Sequence, residues 1–226
     1  MVSMIRPPCD DGVIRGTRAD APCPPATGPW ILAAAVLGAG MVFAGGTVVT
    51  VMLPTFQTGF GADAGDAQWV VAAYALGLAA LTLVGGALGD HFGRRRVYGV
   101  GLALFALASL WCTLAPSIGQ LIAARAAQGI GGALVLPGSL ALIGASFAGE
   151  ERGKAIGTWA AFATVTAGGG PILGGVLVEL ASWRWAFAVN LPLTAVALAI
   201  LLRRVPESRD PTTARLDWRG AALATA

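Results

Sequence analysis

The chain has 226 residues, of which 56% are hydrophobic and 12% charged, with a formal net charge of +3 and a mean hydropathy of +0.71. Soluble domains carry roughly 25% charged residues, so this chain holds about half the usual charge, crowded into short segments. A soluble enzyme, a disulfide-stapled secreted module and a disordered chain are excluded, and the composition is that of a polytopic membrane protein.

Residues 1–29 contain Asp10, Asp11, Asp20 and several prolines without an apolar core. They read as a polar, disordered tail with no cleavable signal peptide. The first apolar run covers Trp30 to about Pro54, and the polar stretch QTGFGADAGDAQ follows as a loop. A second run, from about Trp69 to Leu88, ends at GDHFGRRR, which reads as a loop carrying His91 and the three arginines. The third run covers roughly Val97 to Ala115 and the fourth about Leu121 to Phe147. The stretch AGEERGK is expected to be a loop before the fifth run, roughly Ala155 to Leu180, and SWRW precedes the sixth, about Ala186 to Leu202. Residues 206–226 read as a polar linker ending in AALATA, the start of a seventh helix cut short. The expected organisation is a tail (1–29), a six-helix bundle (30–205) and a linker (206–226).

A bilayer-spanning helix needs roughly 20 apolar residues, and these runs supply six. Lipid offers no partner to an unpaired backbone group, so the runs are continuous helices. A barrel would need alternating segments of about 10 residues, which are absent.

Orientation follows from the basic residues. Arg6, Arg15 and Arg18 precede run 1, and Arg94, Arg95 and Arg96 follow run 2. Arg152 and Lys154 follow run 4; Arg203, Arg204, Arg209, Arg215 and Arg219 follow run 6. If the spans alternate, all of these fall on one side, opposite Arg184, which predicts a multi-pass cell-membrane protein with both termini cytoplasmic. The tryptophans (Trp30, Trp69, Trp111, Trp159, Trp183, Trp185, Trp218) lie near span ends or loops, where aromatic belts form. The positive charge therefore serves membrane orientation, and no nucleic-acid partner is expected. Cys9, Cys23 and Cys112 are odd in number without metal spacing, so free thiols are expected. His91 is the single histidine, and no nucleophile, metal set or phosphate loop is legible, so neither an enzyme nor a metal or cofactor is expected.

Three segments carry chemistry. In GALGDHFGRRR (Gly86 to Arg96), Gly86 and Gly89 suit close helix contact, Gly93 suits a tight turn, and Asp90 can pair with Arg94 across it. An ordinary positively charged loop is the plainer reading. In LIAARAAQGIGGA, Arg125 sits inside the fourth span at a cost of about 2.5–3.5 kcal/mol on insertion scales. It should face a partner or a water-filled cavity, with Gln128 at i+3 on the same face, unless it snorkels to the interface. In TAGGGPILGG, glycine and Pro171 allow a kink and close packing, which a generic small-residue contact would explain equally well.

The first segment resembles the signature loop of the major facilitator superfamily, G-x-L-A-D-R-x-G-R-R/K-x, matched at Gly86, Leu88, Asp90, Gly93, Arg94 and Arg95, with Gly89 and His91 as departures. The second is similar to its helix-4 motif L-x-x-x-R-x-x-Q-G, matched at Leu121, Arg125, Gln128 and Gly129. The third is similar to the antiporter motif G-x-x-x-G-P-x-x-G-G, matched at Gly170, Pro171, Gly174 and Gly175, with Thr166 in place of its opening glycine. WRWAFAVNLP (Trp183 to Pro192) and LDWRGAAL (Leu216 to Leu223) resemble the drug:proton antiporters with fourteen helices. The end of run 1, GGTVVTVMLP, is similar to that branch's L-D-x-T-I-V-N-V-A-L-P, with Gly45 where the branch often has an acidic residue and Thr50 where it has Asn.

The resemblance implies an all-α fold, one half of a major facilitator built as two inverted three-helix repeats. It implies proton-coupled export of small hydrophobic or cationic compounds, with the proton gradient rather than a cofactor as energy source. Arg125 and Gln128 would couple, Asp90 and Arg94 would gate the cytoplasmic side, and the substrate would face spans 1, 4 and 5. Beside this stands a second reading: a truncated, non-transporting membrane component that needs a missing C-terminal half or a homodimer partner.

Overall fold

The structure, a computed structural model, describes residues 27–208. Residues 1–26 of the polar tail, with Cys9 and Cys23, most of the linker and the short seventh apolar stretch lie outside the described residues. Backbone groups in an apolar medium must bond within their own segment, and the described chain is helical apart from short turns. Helix α1 (Gly28–Thr47) passes through a 3-10 turn (Val48–Met52) into α2 (Leu53–Phe60). Then follow α3 (Ala64–Phe92), α4 (Arg94–Leu114), α5 (Ile118–Ser146) and α6 (Gly149–Leu180). The short α7 (Trp185–Ala188) leads into α8 (Asn190–Arg204). By length and composition these make six candidate membrane spans, the first being Gly28–Phe60 and the last Trp185–Arg204.

Three expected loops are instead largely helix. Pro54 lies in the first turn of α2, where its missing N–H removes no helical bond, so the first span continues to Phe60. Gly61, at φ +65°, ends α2, and Asp63 starts α3 by accepting from the Asp66 N–H at 2.8 Å, leaving only 61–63 as the link. At GDHFGRRR the sole break is Gly93, at φ +107°, so His91 ends α3 and Arg94, Arg95 and Arg96 form the first turn of α4. In AGEERGK, Glu150 and Glu151 favour the positive end of a helix dipole, and Lys154 pairs with Glu150 at 2.9 Å, so α6 begins at Gly149.

The packing exchanges partners between the two three-helix repeats. The fourth span, α5, packs against α3 and α4, while the first, α1, packs against α6 and α8; α1 and α5 meet at the centre. Little contact forms within either repeat. This is the arrangement of two inverted repeats, each contributing its first helix to the other's remaining pair. Lipid tails are as apolar as the helices, so close backbone approach replaces the hydrophobic effect as the driving force. A Cβ on Gly85 would lie 2.2 Å from the Ala133 carbonyl oxygen, one on Gly129 2.3 Å from that of Tyr74, and one on Gly77 2.7 Å from that of Ala126. These glycines bring α3 and α5 together. Gly86 and Gly89 do not: a Cβ on Gly86 meets only Pro137 at 3.6 Å, and one on Gly89 meets nothing within 4 Å. Helix α6 rests on α1 along one side and leaves Val165, Ile172 and Leu180 exposed.

Candidate coupling site and signature turn

Arg125 is fully buried in α5. Its Nε donates to the Val70 carbonyl of α3 at 3.1 Å, and its Nη1 donates to Gln128 Oε1 at 2.5 Å. Gln128, one helical turn on, donates through Nε2 to Ser109 Oγ of α4 at 2.7 Å. Ser109 Oγ donates to the Phe105 carbonyl at 2.7 Å and also accepts from Asn190 Nδ2 of α8 at 3.4 Å. The guanidinium carbon stands 4.1 Å from the Tyr74 ring centroid and 5.9 Å from that of Phe187. Tyr74 is itself fixed by donating to the Val42 carbonyl of α1 at 2.6 Å.

The side chain is therefore held inside the protein, and the snorkelling alternative is excluded. A guanidinium has five N–H donors and stays charged. Here the charge is met by a backbone carbonyl, an amide oxygen and two ring faces, which attract cations through their quadrupoles. No carboxylate among the described residues pairs with it, and Nη2 has no hydrogen-bond partner. The site is thus a buried cation with neutral partners and unused donor capacity.

The signature turn is built at the other end of α3. Arg94 holds Asp90 across Gly93, with Nε and Nη2 both 3.1 Å from Asp90 Oδ1. The structure adds a residue that sequence reasoning missed. Glu207, just after α8, accepts from the Arg95 backbone N–H at 3.1 Å through Oε1, and its Oε2 lies 3.5 Å from Arg96 Nε. The Arg94 N–H donates to the Ser208 carbonyl at 2.8 Å, and Arg95 Nη2 donates to the Leu202 carbonyl at 2.9 Å. The exposed N–H groups of α4's first turn are thus capped by the segment that leaves α8. Gly93 is required twice: its φ is left-handed, and a Cβ there would come 2.6 Å from Glu207 Oε1. An acidic residue directly after the last span, at the arginine-rich end, is the only sequence signal for this clasp. Glu207→Ala is expected to cost about 1 kcal/mol, the usual worth of a helix cap. A lower melting temperature in detergent and faster protease cleavage after α8 would report it. Glu207→Gln, which keeps the acceptor and loses the charge, should lie between.

The antiporter-like segment divides. Gly170 and Gly174 face α1, where added Cβ atoms would meet Thr47 Oγ1 at 2.1 Å and the Val48 carbonyl oxygen at 2.7 Å. Thr47 Oγ1 donates to the Ala167 carbonyl at 2.8 Å across the same crossing. Pro171 lies within a helix that continues through it, and a Cβ on Gly175 would meet nothing within 4 Å. Cys112 is buried near the end of α4 as a free thiol. Among the described residues, no group of three or more metal-ligating side chains occurs.

A cavity of about 480 Å³ lies between α1, α6 and the α7–α8 segment. Val36 to Val48 supply one wall, Phe162 to Leu177 the second and Trp185 to Leu193 the third. Spans 1, 5 and 6 bound it, and α5 is enclosed by α3, α4 and α1.

The sequence profile of the Major Facilitator Superfamily matches residues 35–224. The chain is 44% identical over 193 residues to the multidrug resistance protein Stp of Mycobacterium tuberculosis, a match covering 85% of this chain and 36% of Stp. It is 41% identical over 196 residues to the puromycin resistance protein pur8 of Streptomyces alboniger, covering 86% of this chain and 39% of pur8. It thus spans little more than a third of the length of these relatives. Among solved structures, it is similar to the peptide transporter POT in complex with sulfate (TM-score 0.71, 15% identity, 87% of this chain and 43% of that chain). It is also similar to an inward-facing bacterial homologue of the human lysosomal transporter Spinster (TM-score 0.69, 22% identity, 86% and 47%). These two likenesses concern the fold, and each pairs this bundle with somewhat under half of a transporter. The chain, a multi-pass membrane protein by its six apolar spans, belongs to the Major Facilitator Superfamily.

Proposed function

We propose that this chain is the N-terminal half of a proton-coupled exporter of small hydrophobic or cationic compounds, driven by the proton gradient without a cofactor. The observation that carries the reading is Arg125, a fully buried cation with no carboxylate partner among the described residues. Such a charge is expensive to keep in a membrane helix and marks a functional site. The names of the relatives Stp and pur8 support export of drug-like compounds. Arg125 and Gln128 take the coupling role. Gly86, Asp90, Gly93, Arg94 and Arg95 form the gate, and Gly170, Pro171, Gly174 and Gly175 set how α6 leans on α1. No residue is assigned bond-making chemistry.

Arg94, Arg95, Arg96, Arg152, Lys154, Arg203 and Arg204 start or end helices at one end of the alternating bundle, and Arg184 lies at the other. This supports a cell-membrane protein with the arginine-rich end, and both termini, in the cytoplasm. Alternating access rocks one bundle against another, and the exposed apolar faces of α3 and α6 support a second half, or a second copy, as partner. Alone, the chain is then a non-transporting component.

The test is ethidium efflux from cells carrying the chain completed by a C-terminal half. Efflux should stop when a protonophore collapses the gradient at constant ATP. Efflux that persists under protonophore would overturn the coupling, and no efflux from inserted, folded protein would overturn export itself.

A further inference from the structure

The cavity between α1, α6 and the α7–α8 segment is walled almost entirely by carbon, with Met41, Phe162, Leu173, Val189 and Leu193 among its lining. Asn190 is different. It lines the same cavity, yet it is only 5% exposed. The orientation of its carboxamide follows from Ser109. That hydroxyl has one proton, which goes to the Phe105 carbonyl, so toward Asn190 it can only accept. Asn190 therefore turns its nitrogen to Ser109 and keeps its oxygen for the cavity side, where Oδ1 has no partner among the described residues. An amide acceptor without a partner in an apolar wall is unfavourable, so the position makes sense when a guest supplies the donor.

We propose that this cavity binds a largely apolar molecule bearing one hydrogen-bond donor, an amine or a hydroxyl, with Asn190 Oδ1 as the acceptor that orients it. The apolar walls supply attraction without direction, and Asn190 supplies the direction. The anchor is also wired: the hydrogen bonds Asn190–Ser109, Ser109–Gln128 and Gln128–Arg125 lead from the guest to the buried cation. That the guest is an exported compound rests on the efflux reading above; the binding site itself does not.

The test uses the 226-residue chain in nanodiscs with a matched pair of probes, N-phenyl-1-naphthylamine and phenyl 1-naphthyl ether. The two have the same rings, and only the amine donates. Fluorescence titration of the amine, with the ether as competitor and empty nanodiscs as reference, should show saturable binding. The amine should bind about three- to tenfold tighter than the ether, the worth of one net hydrogen bond. In Asn190→Leu that preference should vanish while both probes still bind. Val189→Trp, at a half-exposed wall position that makes none of the network's hydrogen bonds, should weaken both probes alike. Equal affinities in the native chain, no saturable binding above empty nanodiscs, or an amine preference that survives Asn190→Leu would each overturn the proposal. Should Asn190→Leu fail to fold, the native probe pair and Val189→Trp still decide. No gradient enters this measurement, so its failure leaves the coupling reading standing, and loss of coupling with intact binding overturns the efflux reading alone.

Discussion

Replacing Arg125 by alanine is expected to abolish proton-driven export by the chain completed with a C-terminal half, while leaving membrane insertion intact. The substitution removes the charge and two hydrogen bonds, to the Val70 carbonyl and to Gln128 Oε1. It also leaves the amide of Gln128 without its acceptor-side partner inside the bundle. Hydrogen bonds to charged groups contribute about 1.5–3 kcal/mol each, so a rate loss of at least about a hundredfold is expected. Arg125→Lys keeps the charge but lacks the planar fork that reaches α3 and Gln128 at once. It should still lose about tenfold, the equivalent of one such contact. The measurement is substrate uptake into everted vesicles under an imposed proton gradient, with insertion checked by membrane fractionation. Uptake unchanged in Arg125→Ala would leave the residue a purely structural role.

The largest effect on folding is expected at the crossing of α3 and α5. In Gly129→Ala the new methyl would sit 2.3 Å from the Tyr74 carbonyl oxygen, and in Gly85→Ala 2.2 Å from that of Ala133. Both obstacles are backbone, so relief requires the two helices to move apart and opens every contact along the seam. Overpacking typically costs about 1–3 kcal/mol, and a clash with backbone belongs at or above the upper end. Gly129→Ala carries a second effect, because Tyr74 also forms the ring face beneath Arg125. Gly86→Ala and Gly89→Ala are the controls, expected within about 0.5 kcal/mol of the parent because nothing crowds them. Melting temperature and the monodisperse fraction in detergent should separate the two pairs. Equal losses in both would mean that the α3–α5 approach is not what these glycines serve.

The number of spans and the Arg125–Gln128 pair were legible in the sequence because both depend on local spacing: a run of apolar residues, and an i, i+3 relation on one helix. The span ends were less legible. Polar residues such as Gln57 and Glu150 read as loop, yet a helix can carry them past the apolar core, and among the described residues left-handed glycines mark the turns at Gly61, Gly93 and Gly149. Which glycines meet a neighbour was not legible either. These helices are apolar on nearly all faces, so periodicity gives no phase, and adjacent Gly85 and Gly86 look alike until the helices are placed. Glu207 and Asn190 act on residues far away in sequence, 112 positions for Glu207 with Arg95 and 81 for Asn190 with Ser109. No short pattern encodes such pairings, and the resemblance to a known family did not carry them.

The exchanged packing of the two repeats has a consequence for how the chain is made. Once α1 to α4 have left the ribosome, almost none of the main interfaces exists: α1 lacks α6 and α8, while α3 and α4 touch each other only lightly. The arrival of α5 changes this at one stroke, since it supplies the partner that α3, α4 and α1 all await. At roughly 5–20 residues per second, synthesis of this one helix takes on the order of seconds, during which the earlier helices stand in the membrane as loose neighbours. Arg125 then enters hydrocarbon with its Val70 acceptor and its Tyr74 platform already in place on α3. Birth order thus spares the most costly side chain of the bundle a solitary passage through lipid, and it makes the fifth helix to emerge the moment at which the molecule commits to its shape.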